Sequence, residues 1–130
     1  MAADERQLID EGLIHGRIDE QGQVLLPVIV IAADGLELEV EAAVSLSFLG
    51  AMAVSEDLVR RLGWRRLGTR RVIYGFETVL MDHFLGTVSL GGEPYQAVVL
   101  SGVRRTMIGQ KLLAGRHLHL NFSTSTVVLE

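Results

Sequence analysis

Two serines one residue apart, Ser45 and Ser47, lie in the stretch Val44-Ser45-Leu46-Ser47-Phe48-Leu49-Gly50. A serine hydroxyl becomes a nucleophile when a base within hydrogen-bond reach takes its proton and a third group orients that base. Here the candidate base is His83 and the candidate orienting acid is Asp82. Adjacent residues of a strand point to opposite faces, which leaves Asp82 badly placed to hold the His83 ring. Neither serine lies in a G-x-S-x-G turn, the elbow that exposes such a nucleophile. The plainer role for both hydroxyls is to satisfy backbone groups in a tight turn.

His117 and His119 would share one face of a strand and begin a metal site. A zinc site needs at least three protein ligands, and no third is apparent, so neither a metal nor another cofactor is expected. Alternation assigns Leu118, Leu120 and Phe122 to the core and the two histidines, with Asn121, to the polar face. Met52, Trp64 and Met107 read as core side chains rather than cofactor contacts. A third chemistry is suggested by Arg60, Arg61, Arg65, Arg66, Arg70 and Arg71, half of the 12 basic side chains gathered around Trp64. Paired arginines beside an aromatic ring grip phosphates and stack bases. The acidic total, a formal charge of -4, and the lack of any nucleic-acid module argue for a solvated loop instead, its arginines meeting Glu37, Glu39 and Glu41.

The elements that must position these groups follow from pattern. At 130 residues the chain is one domain. Residues 1–11 are polar and acidic and read as a flexible terminus, leaving 12–130 as the domain. The longest apolar run, Val24 to Ala33, is interrupted by Pro27 and is far shorter than the roughly 20 residues of a membrane span. No secretory signal is visible and there is no cysteine, so a cytoplasmic protein with no disulfide is expected. Gln23 to Ile31 reads as a strand buried on both faces, with Pro27 favouring an edge or a bulge. Asp34-Gly35 turns the chain, and Leu36 to Val44 alternates Leu36, Leu38 and Val40 against Glu37, Glu39 and Glu41. A helix follows from Ser55 to Leu62, with Ser55 as N-cap, Glu56 and Asp57 in the first turn, Arg60 and Arg61 in the last, and Gly63 closing it. Val72 to Val79, Leu85 to Leu90 and Tyr95 to Leu100 read as hairpin strands. Gln110 to Ala114 forms a second short helix ending at Gly115, and the chain closes as a hairpin through Ser123-Thr124-Ser125.

The order strand, loop, aromatic residue, any residue, glycine, then a helix ending Leu-Gly resembles that of the retropepsin-like aspartic peptidases, single-lobe bacterial type. Phe48, Gly50 and Leu62-Gly63 carry the resemblance, together with Thr106-Met107-Ile108-Gly109, similar to the family's apolar-apolar-Gly signature, and the closing hairpin. Strand, loop, glycine and helix recur over Val40 to Gly63 and Ala97 to Gly115, the doubling the family fold shows. Where the family has Asp-Thr/Ser-Gly, this chain has Ser45-Leu46-Ser47.

The resemblance implies an all-β, single-lobe acid-protease barrel with one or two short helices. It also implies a homodimer, since in the family each chain supplies one of two carboxylates that share a proton. Two serines have no group titrating in the working range, so no catalytic residue is assigned. The expected function is a catalytically inactive, homodimeric protein- or peptide-binding module. Its groove is bounded by Ser45, Ser47, Gly50 and a flap at Tyr74, Gly75 and Phe76, with no membrane and no nucleic-acid partner. The alternative is an active aspartic-type endopeptidase using another carboxylate, Asp34 or Asp82.

Overall fold

Proline has no N–H to give a ladder, and Pro27 marks where the central strand of this molecule changes partners. In the computed structural model, which describes residues 12–74 and 76–130, β2 spans Val24–Ile31. On one flank it is paired throughout with β3, Glu37–Val44. On the other flank Val24 and Leu25 pair with β1, Ile14–Ile18, whereas Ile29 to Ile31 pair with β6, Glu77–Ser89. Pro27 falls in the gap between those two partners. It therefore sits in an interior strand, not at the edge or bulge expected from sequence, because the missing donor lies where no neighbour on that side asks for it.

The remaining elements are β4 (Met52–Val54), α1 (Glu56–Leu62), β5 (Arg65–Tyr74), β7 (Tyr95–Ser101), β8 (Met107–Ile108), α2 (Gln110–Leu113), β9 (Leu118–Asn121) and β10 (Thr126–Leu129). They form a single sheet in the order β5-β6-β7-β4-β8-β3-β2-β1-β10-β9. The β6–β2 pairing bends the middle of this sheet round until it closes as a barrel of β6, β7, β4, β8, β3 and β2. β5 hangs from one side of the barrel and the β1-β10-β9 ribbon from the other. Residues 1–11 and Gly75 lie outside the described residues, and so do the expectations made for them.

The barrel interior is filled by Leu26, Val28, Val30, Ala42, Met52, Val54, Val88, Val99 and Ile108, all fully buried. Each larger side chain among them contributes about 1.5–3 kcal/mol by leaving water. A smaller cluster of Ala53, Met81, Leu100 and Val103, flanked by Phe48, Val72 and Val79, joins the serine loop to the β5–β6 hairpin near its tip. α1 is as its sequence dictates: the Ser55 hydroxyl accepts from the Leu58 N–H, and Gly63 adopts the left-handed conformation at φ 66°. Trp64 is buried, donates its indole N–H to the Ile31 carbonyl at 2.8 Å, and lies so close to Gly86 that a Cβ there would come 2.7 Å from the ring.

Three expectations give way. The arginine run is not a loop: Arg65 to Tyr74 is a strand paired with β6, which presents Arg65, Arg66, Arg70 and Arg71 to solvent. Its arginines do not meet the acidic strand either. Arg66 binds Asp82 at 3.0 Å, Arg60 binds Glu56 and Asp57, and Glu41 is taken by Arg17. Finally, Leu120 and Phe122 are not core residues. β9 is the last strand of the sheet and among the described residues pairs only with β10, so Leu120 is 40% and Phe122, just beyond the strand, 67% exposed.

Arg17 reaches across β2 to grip Glu41 with two hydrogen bonds of 3.0 and 2.9 Å. The hydrogen bond from Arg17 holds the Glu41 carboxyl below its ordinary range, against a smaller opposing effect of desolvation. A carboxyl whose pKa is lower folded than unfolded stabilises the fold above its unfolded value, and the benefit disappears as pH falls through the folded one. Both side chains are half-exposed, so the effect is small. Glu41→Gln should therefore lower urea stability slightly at pH 7 and leave it unchanged near pH 2, where both proteins are neutral at this position. An equal loss at both pH values would contradict the assignment.

Candidate functional site

The serine loop is held by crossed pairings. β3, which leads into it, runs parallel to β8, and β4, which leaves it, runs parallel to β7. β4 and β8 pair antiparallel at the centre, Met52 opposite Ile108 and Ala53 opposite Met107. The unit β3-loop-β4-α1 is thus related to β7-loop-β8-α2 by an approximate two-fold axis, matching the repeat seen in the sequence. Every turn of the loop is fixed to the second unit. Ser45 N–H donates to the Ile108 carbonyl at 2.9 Å, Gln110 N–H to the Phe48 carbonyl at 2.9 Å, Lys111 N–H to the Gly50 carbonyl at 3.2 Å, and Gly109 N–H to the Ala51 carbonyl at 2.9 Å. The Gln110 side-chain amide adds a bond to the Leu46 carbonyl.

Close approach of the two units depends on glycine. A Cβ on Gly109 would stand 2.4 Å from the carbonyl oxygens of both Phe48 and Gly50 and 2.7 Å from the Phe48 ring, and one on Gly50 would stand 2.7 Å from the same ring. Phe48 is the lock: its carbonyl receives the start of α2 while its ring packs against the Ala53–Leu100 cluster.

Within this rigid frame Ser45 Oγ and Ser47 Oγ lie 3.3 Å apart, and Phe48 N–H donates to the Ser45 carbonyl at 3.3 Å. Leu46 is exposed between them, and Leu49 two residues beyond Ser47. From Val44 to Val54 no side chain is ionisable. The arrangement offers paired neutral hydroxyls and an apolar rim, suited to hydrogen-bonding an extended chain and unable to take a proton from water.

Acids and bases named from sequence lie elsewhere. Asp34 caps the β2–β3 turn, accepting from the Leu36 N–H at 3.0 Å. That is the opposite end of β3 from Ser45, about 25 Å away at the rise of an extended strand. Asp82 is exposed and tied to Arg66. His83 lies on β6, opposite Gly68 of β5 and Leu100 of β7, and β6 does not pair with β3. Its Nδ1 is buried without a partner. His119 Nε2 is 2.9 Å from Glu130 Oε2 at the sheet edge, and among the described residues no cluster of three potential metal ligands occurs.

At the tip of the β5–β6 hairpin Phe76 is wholly exposed, and Tyr74 is the last residue of β5, paired with Glu77. Gly75 lies outside the described residues. Near that tip Val72 and Val79 pack against the same buried cluster, Ala53, Met81, Leu100 and Val103, as Phe48 of the loop. A pocket of about 540 Å³ opens on the outgoing limb of the loop, Phe48 to Ala51, lined also by Arg70, Tyr95 and Lys111. Arg70 belongs to the arginine run noted in the sequence, but nothing there joins it to Tyr95 or Lys111: the three come from β5, β7 and α2, and only the fold brings them together.

No protein-family model matches the chain, and no curated protein matches it in sequence. Among solved structures it is similar to the crystal structure of a retropepsin-like aspartic protease from Rickettsia conorii, with a TM-score of 0.62 over 90% of this chain and 89% of that one. The two sequences are 11% identical, so the likeness is one of fold. No helix among the described residues is long and apolar enough to cross a membrane.

Proposed function

With the retropepsin-like fold as premise, we propose that this chain is a non-catalytic, homodimeric module that binds an extended peptide or protein segment between the Ser45–Ser47 loop and the β5–β6 hairpin. The observation that carries the reading is the loop itself. Four backbone hydrogen bonds tie it to the second unit, yet Val44 to Val54 contains no carboxylate. Amide hydrolysis in this family requires two carboxyls sharing a proton. The resemblance sets Ser45 where that acid belongs, and two serine hydroxyls 3.3 Å apart hold no titrating proton. Asp34 and Asp82, the carboxylates an active alternative needs, are engaged elsewhere and do not come with the loop.

Exposed strand edges give affinity to extended peptides through main-chain hydrogen bonds. The serines and the hairpin walls would supply that pairing, with Phe76 and Leu46 as apolar contacts. Dimerisation is supported by the edge of β9, unpaired on its outer side among the described residues, where the exposed Leu120 and the adjoining Phe122 offer a surface for a second copy. A cytoplasmic setting belongs to the same proposal and rests on a chain without cysteine.

The binding half of the proposal is tested by following backbone amide shifts while an uncharged extended peptide, acetyl-(Val-Thr)3-amide, is added. Shifts should concentrate at 45–50 and along both limbs of the hairpin, 72–79, with the peptide recovered intact. Shifts confined to any other part of the barrel, or none at all, would contradict it.

A further inference from the structure

β7 is paired along its whole length on one side and along only part of it on the other. Toward β6 the ladder runs from Tyr95, opposite Val88, to Ser101, opposite Asp82. Toward β4 it covers only Val99, Leu100 and Ser101. The chain preceding β4 does not continue that ladder. It bends away at Phe48 to Ala51 to hydrogen-bond Gly109, Gln110 and Lys111. The backbone edge of Tyr95 to Val98 is left facing the 540 Å³ pocket.

The chemistry of that pocket is asymmetric. Its lining combines apolar side chains, Phe48, Leu49, Ala97 and Leu112, with two cations, Arg70 and Lys111. No aspartate or glutamate lines it. Among the described residues neither Arg70 nor Lys111 takes part in an ion pair, although Arg17, Arg60, Arg66 and Arg105 each do. In a chain of net charge -4 with 16 acidic side chains, two cations without partners over one apolar slot are a local complement to negative charge.

We propose that this slot takes an extended acidic peptide as an added strand along Tyr95 to Val98. The slot adjoins the Ser45–Ser47 groove and shares Gly50 with it, but neither serine lines it. The open edge supplies main-chain hydrogen bonds over about four residues, roughly 13 Å of strand. Alternate side chains of the added strand then divide between the two faces: apolar ones pack against Leu49 and Leu112, and acidic ones meet Arg70 and Lys111. A nucleic acid fits less well, because the slot offers hydrogen-bonding groups at strand spacing and only two cations, not a continuous basic track.

The test uses the full-length protein and fluorescently labelled acetyl-Val-Glu-Val-Glu-Val-amide, with binding read by anisotropy. Saturable binding is expected. It should weaken at least about tenfold when both glutamates of the peptide are replaced by lysine. It should be lost when alternate peptide nitrogens are methylated, which removes the ladder donors and leaves the charge. The double variant Arg70→Glu/Lys111→Glu, at two exposed positions, should invert the preference and bind the lysine peptide more tightly. Ser47→Trp, which fills the serine groove, should leave the affinity unchanged. No binding, equal binding of the glutamate and lysine peptides, indifference to N-methylation, or loss with Ser47→Trp in place of the charge reversal would each overturn the proposal. The last outcome would locate the peptide in the serine groove and leave that reading standing.

Discussion

Gly109→Ala should destabilise the protein by about 3 kcal/mol or more, at the upper end of what overpacking a core costs. The added methyl has nowhere to go. It would lie 2.4 Å from two backbone carbonyl oxygens and 2.7 Å from the Phe48 ring, so relief requires the serine loop to move away from α2. That movement breaks the bonds from Gln110 N–H and Lys111 N–H, which accept the loop into the second half of the fold. Gly92→Ala is the matched control, because nothing lies within 4 Å of its added Cβ. It should stay within about 0.5 kcal/mol of the parent. Thermal unfolding separates the cases: a midpoint lower by about 10 °C for Gly109→Ala and an unmoved one for Gly92→Ala. Equal midpoints would show that the two halves do not lock at Gly109.

The second large effect is on assembly. Leu120 on β9 and Phe122, just past its end, are exposed at the last strand of the sheet, which has no partner on its outer side among the described residues. An exposed strand edge with apolar side chains is a template for pairing with another chain. A second copy would bury both side chains, each worth about 1.5–3 kcal/mol, so Leu120→Glu/Phe122→Glu should weaken a dimer by two to four orders of magnitude, on the order of 3–6 kcal/mol. Light scattering at about ten micromolar, chosen to lie above a typical dimer constant, should give twice the 14.2 kDa chain mass for the parent and a single chain mass for the variant. A parent of one chain mass would remove the dimer from the account, and a variant that stays dimeric would move the interface to another face.

Much of the architecture is legible in the sequence because it is written in local signals. Ser55, Gly63 and the charges between them define α1 completely, and Asp34-Gly35 turns β2 into β3 as its chemistry requires. The alternation of Leu38 and Val40 with Glu37, Glu39 and Glu41 survives into the structure as half-buried against exposed, but Leu36, read as part of the same face, precedes the strand and is exposed. Legibility fails where burial depends on a neighbour far away in sequence. Pro27 looks like an edge residue until the barrel reveals that β1 ends and β6 begins on either side of it. Leu120 and Phe122 alternate as a core strand does, but what covers a strand is set by its place in the sheet, and β9 comes last.

The same distinction holds at the site. The loop Ser45 to Gly50 could be found because strand, aromatic, glycine and capped helix follow one another in the chain. Ser45 and Ser47 prove to be within 3.3 Å of each other, as an i, i+2 pair in a tight turn allows. Gln110, which reaches back to Leu46, carries no sequence signal of that role, since the contact exists only through the crossing of the two halves. Asp82 and His83 are neighbours in sequence and still cannot serve one another: one is bound to Arg66 on the outer face of the hairpin, and the other turns a ring nitrogen inward.

Peptide hydrolysis measured directly bears hardest on the central claim. The purified protein should be incubated with a mixed peptide library from about pH 3 to pH 7, a range that spans the titration of any paired carboxyls, and the products read by mass spectrometry. No cleavage above the protein-free control is expected at any pH, because neutral hydroxyls at Ser45 and Ser47 cannot act as the base. Cleavage that a statine-type inhibitor abolishes would mean that a carboxylate reaches the loop after all, and the non-catalytic reading would be wrong.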